Sequence, residues 1–435
     1  MIEKLLERLD ESTCNFLAVA RMRRELEEAG FIFLSAEEEW DLVPRGKYYT
    51  VKNGSAVFAF VIGDKTPSET GLRMIAAHSD SPCFKIKPCP EIEGDGGVVS
   101  LNVEKYGGGI MYTWFDRPLS LSGRVMLRGA NPLRPEERLV DLRRPVATIP
   151  HLAIHFNRSV NEGNALSVQK DMKPVVGYFS KGQLEDYKSR GGIVKCLVAE
   201  HLCVKPEEIL DYELCLYPAE PAGVCGVDGK YYQSARIDDL SMAFAALDAL
   251  LEECDRPCEA TRMIMIFDNE ETGSATKQGA ASAFARGLVE RIVGCTDSGI
   301  QAFERAIARS FLISADNAHA WHPNYNDKYD PTNHPVIGGG PVVKINANCK
   351  YMTDAKGAAV FRAICDKAGV PSQYFVNHGD VAGGSTLGNI LTSQLDLEGV
   401  DMGNAIWAMH SARETAGTAD QQMTVKAFRT FFGEL

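Results

Sequence analysis

The chain has 435 residues, 45% hydrophobic and 24% charged, a balance that excludes a disordered protein and accommodates one large domain plus a smaller one. Its formal net charge of -12 argues against nucleic acid or an anionic membrane surface as the main partner, since both demand a basic face. No apolar run reaches the ~18 residues of a membrane span, and the start MIEKLLERLD lacks the basic-then-apolar layout of a signal peptide, so a cytoplasmic protein is expected.

In chain order, Leu5, Leu6, Leu9, Phe16, Leu17, Val19 and Leu26 recur at helical spacing and predict one helix over 2–29, stopped by Gly30. Residues 48–63 alternate around Asn53-Gly54 and predict a hairpin. Residues 72–77 form a buried strand that runs straight into His78-Ser79-Asp80. Composition then shifts to β-branched, Gly and Pro residues, as in VVSLNVEKYGGG and LSLSGRVMLRG, and predicts a helix-poor unit over 88–222. After Tyr231 strands and helices alternate: a helix over 240–252, strands over 262–267 and 311–314, and helices over 355–367 and 424–432. That order implies a central mixed α/β sheet flanked by helices in a discontinuous domain, 1–87 plus 223–435, interrupted by an inserted β-rich domain. Twelve cysteines are scattered singly, and the close pairs Cys83/Cys89 and Cys254/Cys258 read as free thiols rather than a zinc ribbon.

Four segments share one pattern, an apolar strand delivering a metal-competent side chain at its carboxyl end: MIAA-His78, MIMIFDN-Glu270-Glu271, FLISA-Asp316 and IWAM-His410. In open α/β sheets such ends face a common crevice, so residues distant in sequence can converge there. Asp238, followed by Asp239, sits where a loop enters the Ala-rich helix, and Asp239 alone would also serve as a helix cap. The Glu270-Glu271 pair would repel unless a cation or proton lay between the two carboxylates. Mixed imidazole and carboxylate ligation suits zinc, manganese or cobalt better than calcium. Tyr106-Gly107-Gly108-Gly109 and Gly338-Gly339-Gly340 lack the spacing of a phosphate cradle and read as turns.

The ordered set AAHSDSP, SARIDDL, FDNEETGS, SADNAHAWHPNY and AMHSARE, with IPHLAIHFNR in the inserted segment, resembles the M18 metallopeptidases, the aspartyl aminopeptidase family, over essentially the whole chain. The resemblance implies two divalent metal ions per subunit, zinc foremost, with cobalt or manganese as alternatives. Asp238 would bridge them, with His78 and Asp316 on one ion and Glu271 and His410 on the other. Asp239 in place of the more usual Asn leaves open which carboxylate bridges. Glu270 would act as general base and acid, and Asp80 would hold the His78 imidazole through its other nitrogen. Lys344 and Tyr351 match positions that grip an acidic substrate side chain. Gly384, in Gly383-Gly384-Ser385-Thr386, belongs to a loop that shapes the substrate site. His155 matches a histidine that a neighbouring subunit inserts into the active site, with His151 a weaker match, and relatives assemble as tetrahedral homododecamers through the inserted domain.

Peptides with an acidic N-terminal residue are therefore the expected substrates. His378 stands where some relatives carry arginine, which keeps a preference for neutral residues open. An amidohydrolase of N-acyl amino acids on the same ligands is the nearest rival. A degenerate, non-catalytic scaffold would have lost a ligand or the base, and all six residues are present.

Overall fold

The computed structural model describes residues 1–433. Two compact units divide it: Met1–Asp80, Ala222–Met409 and Glu414–Leu435 make the first, and Ser81–Pro221 with the short link His410–Arg413 makes the second.

The first unit is built on a nine-stranded mixed sheet. Its strands are β1 (Ile32–Phe33), β2 (Lys47–Lys52), β3 (Ala56–Val61), β4 (Leu72–His78), β5 (Thr261–Phe267), β6 (Phe311–Ala315), β7 (Val342–Ile345), β8 (Gln373–Val376) and β9 (Glu398–Gly403). Their spatial order is β1-β2-β3-β5-β4-β6-β9-β7-β8. The four central strands β5, β4, β6 and β9 run parallel, so their carboxyl ends open on one edge. Antiparallel pairings join β3 to β5 and β7 to β9.

Alternation along β4 shows why the central strands read as continuous apolar runs. Ile75 and Ala77 join one buried cluster with the Ile237–Glu253 and Thr418–Gly433 helices, while Met74 and Ala76 join another with the Phe284–Thr296 helix. Both faces are covered, so neither set of side chains needs to be polar. The Asn53-Gly54 turn behaves as its sequence predicts: both residues have positive φ, 57° and 69°, which matches the strand twist across β2 and β3.

A five-stranded sheet in the same unit collects three segments around the ends of the central strands. It pairs Gly223–Cys225, Tyr231–Ser234, Glu414–Gly417, Ala405–Trp407 and Ala318–His319 in that order. Asp316 thus lies just before one of its strands, His410 three residues after another, and Asp238 four residues after a third.

The second unit carries a six-stranded antiparallel sheet, ordered Arg134–Asp141, Leu119–Asn131, Ile209–Pro218, Cys83–Glu93, Val98–Tyr106 and Val175–Tyr178. Its core centres on Phe84, Leu101, Leu121 and Leu214, with Trp114 edge-on to Phe84 at 5.1 Å. Helices Lys181–Ser189 and Ile193–Leu202 also lie in this unit. A reading from composition passes over both, because the second is a short apolar run that resembles a buried strand.

The expected single helix over 2–29 is two helices, Ile2–Glu11 and Asn15–Glu28. Ser12-Thr13-Cys14 breaks them, small polar residues that compete with the helix for backbone groups. From the first helix Arg8, 0% exposed, forms ion pairs with Glu25 on the second and with Asp248.

Candidate functional site

The parallel central strands deliver polar side chains where their apolar runs stop. His78 is the last residue of β4 and pairs in register with Phe267, the last of β5. Glu270 and Glu271 follow β5 in one tight helical turn, and Asp316 follows β6 directly. The turn after β5 is reached through Asn269, whose positive φ of 61° suits asparagine and whose Oδ1 accepts from Thr276 and Gln278. Asp238 and Asp239 open the Ile237–Glu253 helix with non-helical dihedrals, and the peptide between them is cis.

Two groups of ligand atoms result. His78, Asp238, Asp239 and Asp316, all buried, each bring one donor atom within 4.8 Å of the others. Asp238, Glu271 and His410 make a second such group on the same limit, and Asp238 is common to both. Glu270 belongs to neither group although it precedes Glu271 in the chain.

The surroundings hold these groups in place. The Asp80 carboxylate accepts the backbone N–H of Glu270 at 3.1 Å and that of Glu271 at 3.2 Å. The same residue meets the imidazole: His78 Nδ1 lies 3.1 Å from the Asp80 carbonyl oxygen and 3.4 Å from its Oδ1. One aspartate therefore orients the ring and fixes the turn bearing both glutamates, leaving the other ring nitrogen for a ligand. Asp239 accepts the His78 backbone N–H at 3.1 Å, and Asn317 Nδ2 reaches both Asp239 and the Ile237 carbonyl. Buried Glu414 accepts the backbone N–H of Asp238 at 3.0 Å.

Electrostatics report crowding of like charge. Burial, with Asp316, Glu271 and Asp80 nearby, pushes the Glu270 carboxyl up to about 8 against the opposing pull of His78. Burial, followed by Asp316 and Asp238, raises Asp239 well above the carboxylate range, again against His78. Burial alone would lower His78, but Asp239, Asp80 and Glu270 outweigh it and raise the imidazole well above its ordinary value. Carboxylates this close and dry resist ionisation unless positive charge lies among them. The donor set, imidazole plus carboxylate oxygens, fits a divalent cation such as zinc, which would take the place of those protons.

The remaining candidates fall into three environments. Lys344 is 3% exposed and donates to Asp316 Oδ1 at 3.1 Å, with its Nζ 5.5 Å from the ring centre of buried Tyr351. It is no surface lysine, and its partner is one of the ligand-competent carboxylates. Gly384 is exposed, while a Cβ on Gly383 would lie 2.6 Å from the Asn377 side chain. His155 is exposed in the second unit, on a segment where Leu152, Ile154 and Phe156 are 58%, 53% and 80% exposed, and His151 stacks on Phe115 at 4.1 Å.

Sequence reasoning passed over Glu414, whose backbone contact is long-range, and His319. His319 lies three residues past Asp316 and lines a cavity of about 170 Å³ with Lys328, Tyr329, Phe375, Asn377 and His378. Its position in SADNAHAWHPNY, just after a ligand-bearing strand end, was the available signal.

Comparison with known proteins agrees with this layout. The family model described as aminopeptidase I zinc metalloprotease (M18) matches residues 8–432. A probable M18 family aminopeptidase 2 from Clostridium novyi is 42% identical over 430 residues, covering 99% of this chain and 98% of the relative. The protein of the same description from Pseudomonas aeruginosa is 41% identical, covering 98% and 97%. Among solved structures, the complex of Ape4 and Nbr1 matches with a TM-score of 0.95 at 34% identity, over 99% of this chain and 84% of that one. The M18 aminopeptidase of Thermotoga maritima matches with a TM-score of 0.85 at 26% identity, over 100% and 96%. The S. cerevisiae mApe1 dodecamer matches with a TM-score of 0.87 at 26% identity, over 99% and 95%. With matching motifs, fold and near-complete mutual coverage, the chain belongs to the M18 family of zinc aminopeptidases and is a hydrolase.

Proposed function

We propose that this aminopeptidase uses two divalent cations side by side and removes acidic N-terminal residues, aspartate and glutamate, from peptides. The observation carrying the two-ion reading is that Asp238 belongs to both ligand groups, so one carboxylate can serve two neighbouring ions. His78 and Asp316 would complete one set, and Glu271 and His410 the other. Zinc held there would supply Lewis acidity toward the scissile carbonyl and the attacking water.

Glu270 moves the proton. Its turn is pinned by Asp80, and a carboxyl poised near neutrality can take a proton from water and return it to the leaving amine. Cations among its neighbours would draw that carboxyl back down, favouring the basic form at the start of the cycle. Asp239, which accepts the His78 backbone N–H and the Asn317 side-chain amide, supports the site beside Asp238.

Lys344 and Tyr351 would present positive charge and a hydroxyl to an acidic side chain, and the 383–386 loop would shape the pocket. The Lys344–Asp316 ion pair supports this, because an ion on Asp316 would release part of the lysine's charge toward substrate. The exposed apolar segment Leu152–Phe156, with His155 inside it, suits burial against another copy of the chain. We assign it to a homododecamer in which His155 enters a neighbour's active site. None of the twelve cysteines is in a disulfide, in keeping with a reducing cytoplasm, and no helix among the described residues is long and apolar enough to cross a membrane.

Turnover of aspartyl, glutamyl and leucyl anilides, set against N-acetyl and N-succinyl amino acids, tests the specificity. Release from the aspartyl and glutamyl anilides is expected to dominate. Hydrolysis of the acylated set alone would overturn the reading, and a leucyl preference would replace acidic by neutral specificity. Native mass spectrometry at micromolar concentration checks the assembly.

A further inference from the structure

Asp401 is a carboxylate with no place in the chemistry described so far. It lies in the middle of β9, 0% exposed, between Val400 and Met402, which are equally buried and apolar. A strand core needs no charge at such a position, and an acid buried there is costly unless it is fully hydrogen-bonded.

Its hydrogen-bond partners come from two different segments. Oδ1 accepts from Thr386 Oγ1 at 2.7 Å, and Oδ2 accepts the Met352 backbone N–H at 2.5 Å. The Asp401 backbone N–H donates to Thr353 Oγ1 at 2.8 Å. Met352 and Thr353 directly follow Tyr351, and Thr386 ends the Gly383-Gly384-Ser385-Thr386 loop. Val381, Ala382, Gly384 and Ser385 are exposed, so Thr386 is where that loop enters the interior. In register, Asp401 faces Ser314 on β6, two residues before Asp316. On its other side β9 pairs Met402 with Val343, which puts Lys344 one step along. A Cβ on Gly388 would lie 2.6 Å from Asp401 Oδ1 and 2.8 Å from Ser314 Oγ, so only glycine lets the Leu387–Leu391 turn approach the carboxylate.

On the reading that Lys344, Tyr351 and the 383–386 loop form the substrate side-chain pocket, we infer that Asp401 is the positioning residue that ties these walls together and so sets the enzyme's side-chain selectivity. One carboxylate clamps the chain beyond Tyr351 with one oxygen and the loop with the other. Its negative charge also lies close enough to Lys344 to help keep that ammonium ionised in a dry site.

The test reads a selectivity ratio: kcat/KM for the best of the aspartyl, glutamyl and leucyl anilides over that for the alanyl anilide. Asp401→Asn keeps the shape, with its amide oxygen left to accept the Met352 N–H and its amide N–H free to donate to the Thr386 hydroxyl, but it removes the negative charge that strengthens both bonds. The ratio should fall roughly ten-fold, the equivalent of one charge-assisted hydrogen bond, with zinc content unchanged. Should that variant fold poorly, Thr386→Ala is expected to lower the ratio and Thr386→Ser, which keeps the hydroxyl, to restore most of it. An equal loss for every substrate, or no loss, in both Asp401→Asn and Thr386→Ala overturns the assignment. Lys344→Met and Tyr351→Phe separate the layers. If these leave the ratio unchanged, the pocket itself is misplaced and the inference goes with it. If they shift it while Asp401→Asn and Thr386→Ala do not, the role of Asp401 alone is rejected.

Discussion

The two units solve the same packing problem with opposite consequences for chemistry. In the first, four adjacent parallel strands end on one edge, so His78, the Glu270-Glu271 turn and Asp316 are delivered to one place. In the second, antiparallel neighbours reverse direction at each step and their ends alternate between edges. Among the described residues, no ligand-competent group lies wholly within that unit. A parallel sheet thus concentrates polar termini, while an antiparallel sheet disperses them. The first unit accordingly carries strained like-charge clusters, and the second is mainly an apolar core around Trp114 and Phe84.

Four experiments break or sharpen that contrast. The largest effect is expected for Glu270→Gln, which should lower kcat by ~10²–10⁴. Zinc content, measured by elemental analysis, should stay at the wild-type level; unchanged turnover would remove Glu270 from the reaction. The reverse separation is expected for Trp114→Ala in the second unit. Deleting this buried ring should cost ~3–5 kcal/mol in denaturant unfolding while the metal content of the folded fraction stays at the wild-type level.

Acid titration probes the buried charge that supports the first unit without doing chemistry. Burial alone would raise Glu25, but hydrogen bonds and charge from Arg8, with Arg21 and Lys4, bring it down to about 2. A carboxylate lowered on folding contributes stability above its unfolded value, and that contribution fades as pH falls from there through the folded value. Unfolding free energy should therefore drop by roughly 3 kcal/mol between about pH 4.5 and pH 2 from this group, and Glu25→Gln should flatten the slope in that window. An unchanged slope would show that Arg8 draws its support from Asp248 alone. The smallest effect belongs to Gly54→Ala at the β2–β3 turn, where φ is 69°. It should cost about 1 kcal/mol, with turnover untouched because the turn carries no reacting group.

Much of the site was legible because the central strands are apolar on both faces. A run such as MIAA or FLISA that stops at a histidine or aspartate marks a strand end bearing a buried polar side chain, as at His78 and Asp316. The hairpin at Asn53-Gly54 and the helices after Tyr231 were legible for equally local reasons. Other features depend on partners 15 to 191 residues away in the chain. The pairing of Lys344 with Asp316, the backbone clamp of Asp80 on Glu270 and Glu271, and the contacts of Asp401 leave no periodic trace. The break at Ser12–Cys14 was written in small polar residues, yet the apolar spacing runs across it, because both helices bury residues in the same core.

What the sequence determined by itself was the menu: which segments are strands, where each apolar run stops, and which side chains stand at those stops. Local sterics and burial period suffice for that. Which stops meet was decided by strand order and direction. Only the order β5-β4-β6-β9 sets His78, the Glu270-Glu271 turn and Asp316 side by side. Only the small sheet brings Asp238 to them, as the carboxylate common to both ligand groups. Long-range pairing selects among many arrangements with the same local pattern, and that choice belongs to the assembled core rather than to any one stretch of chain.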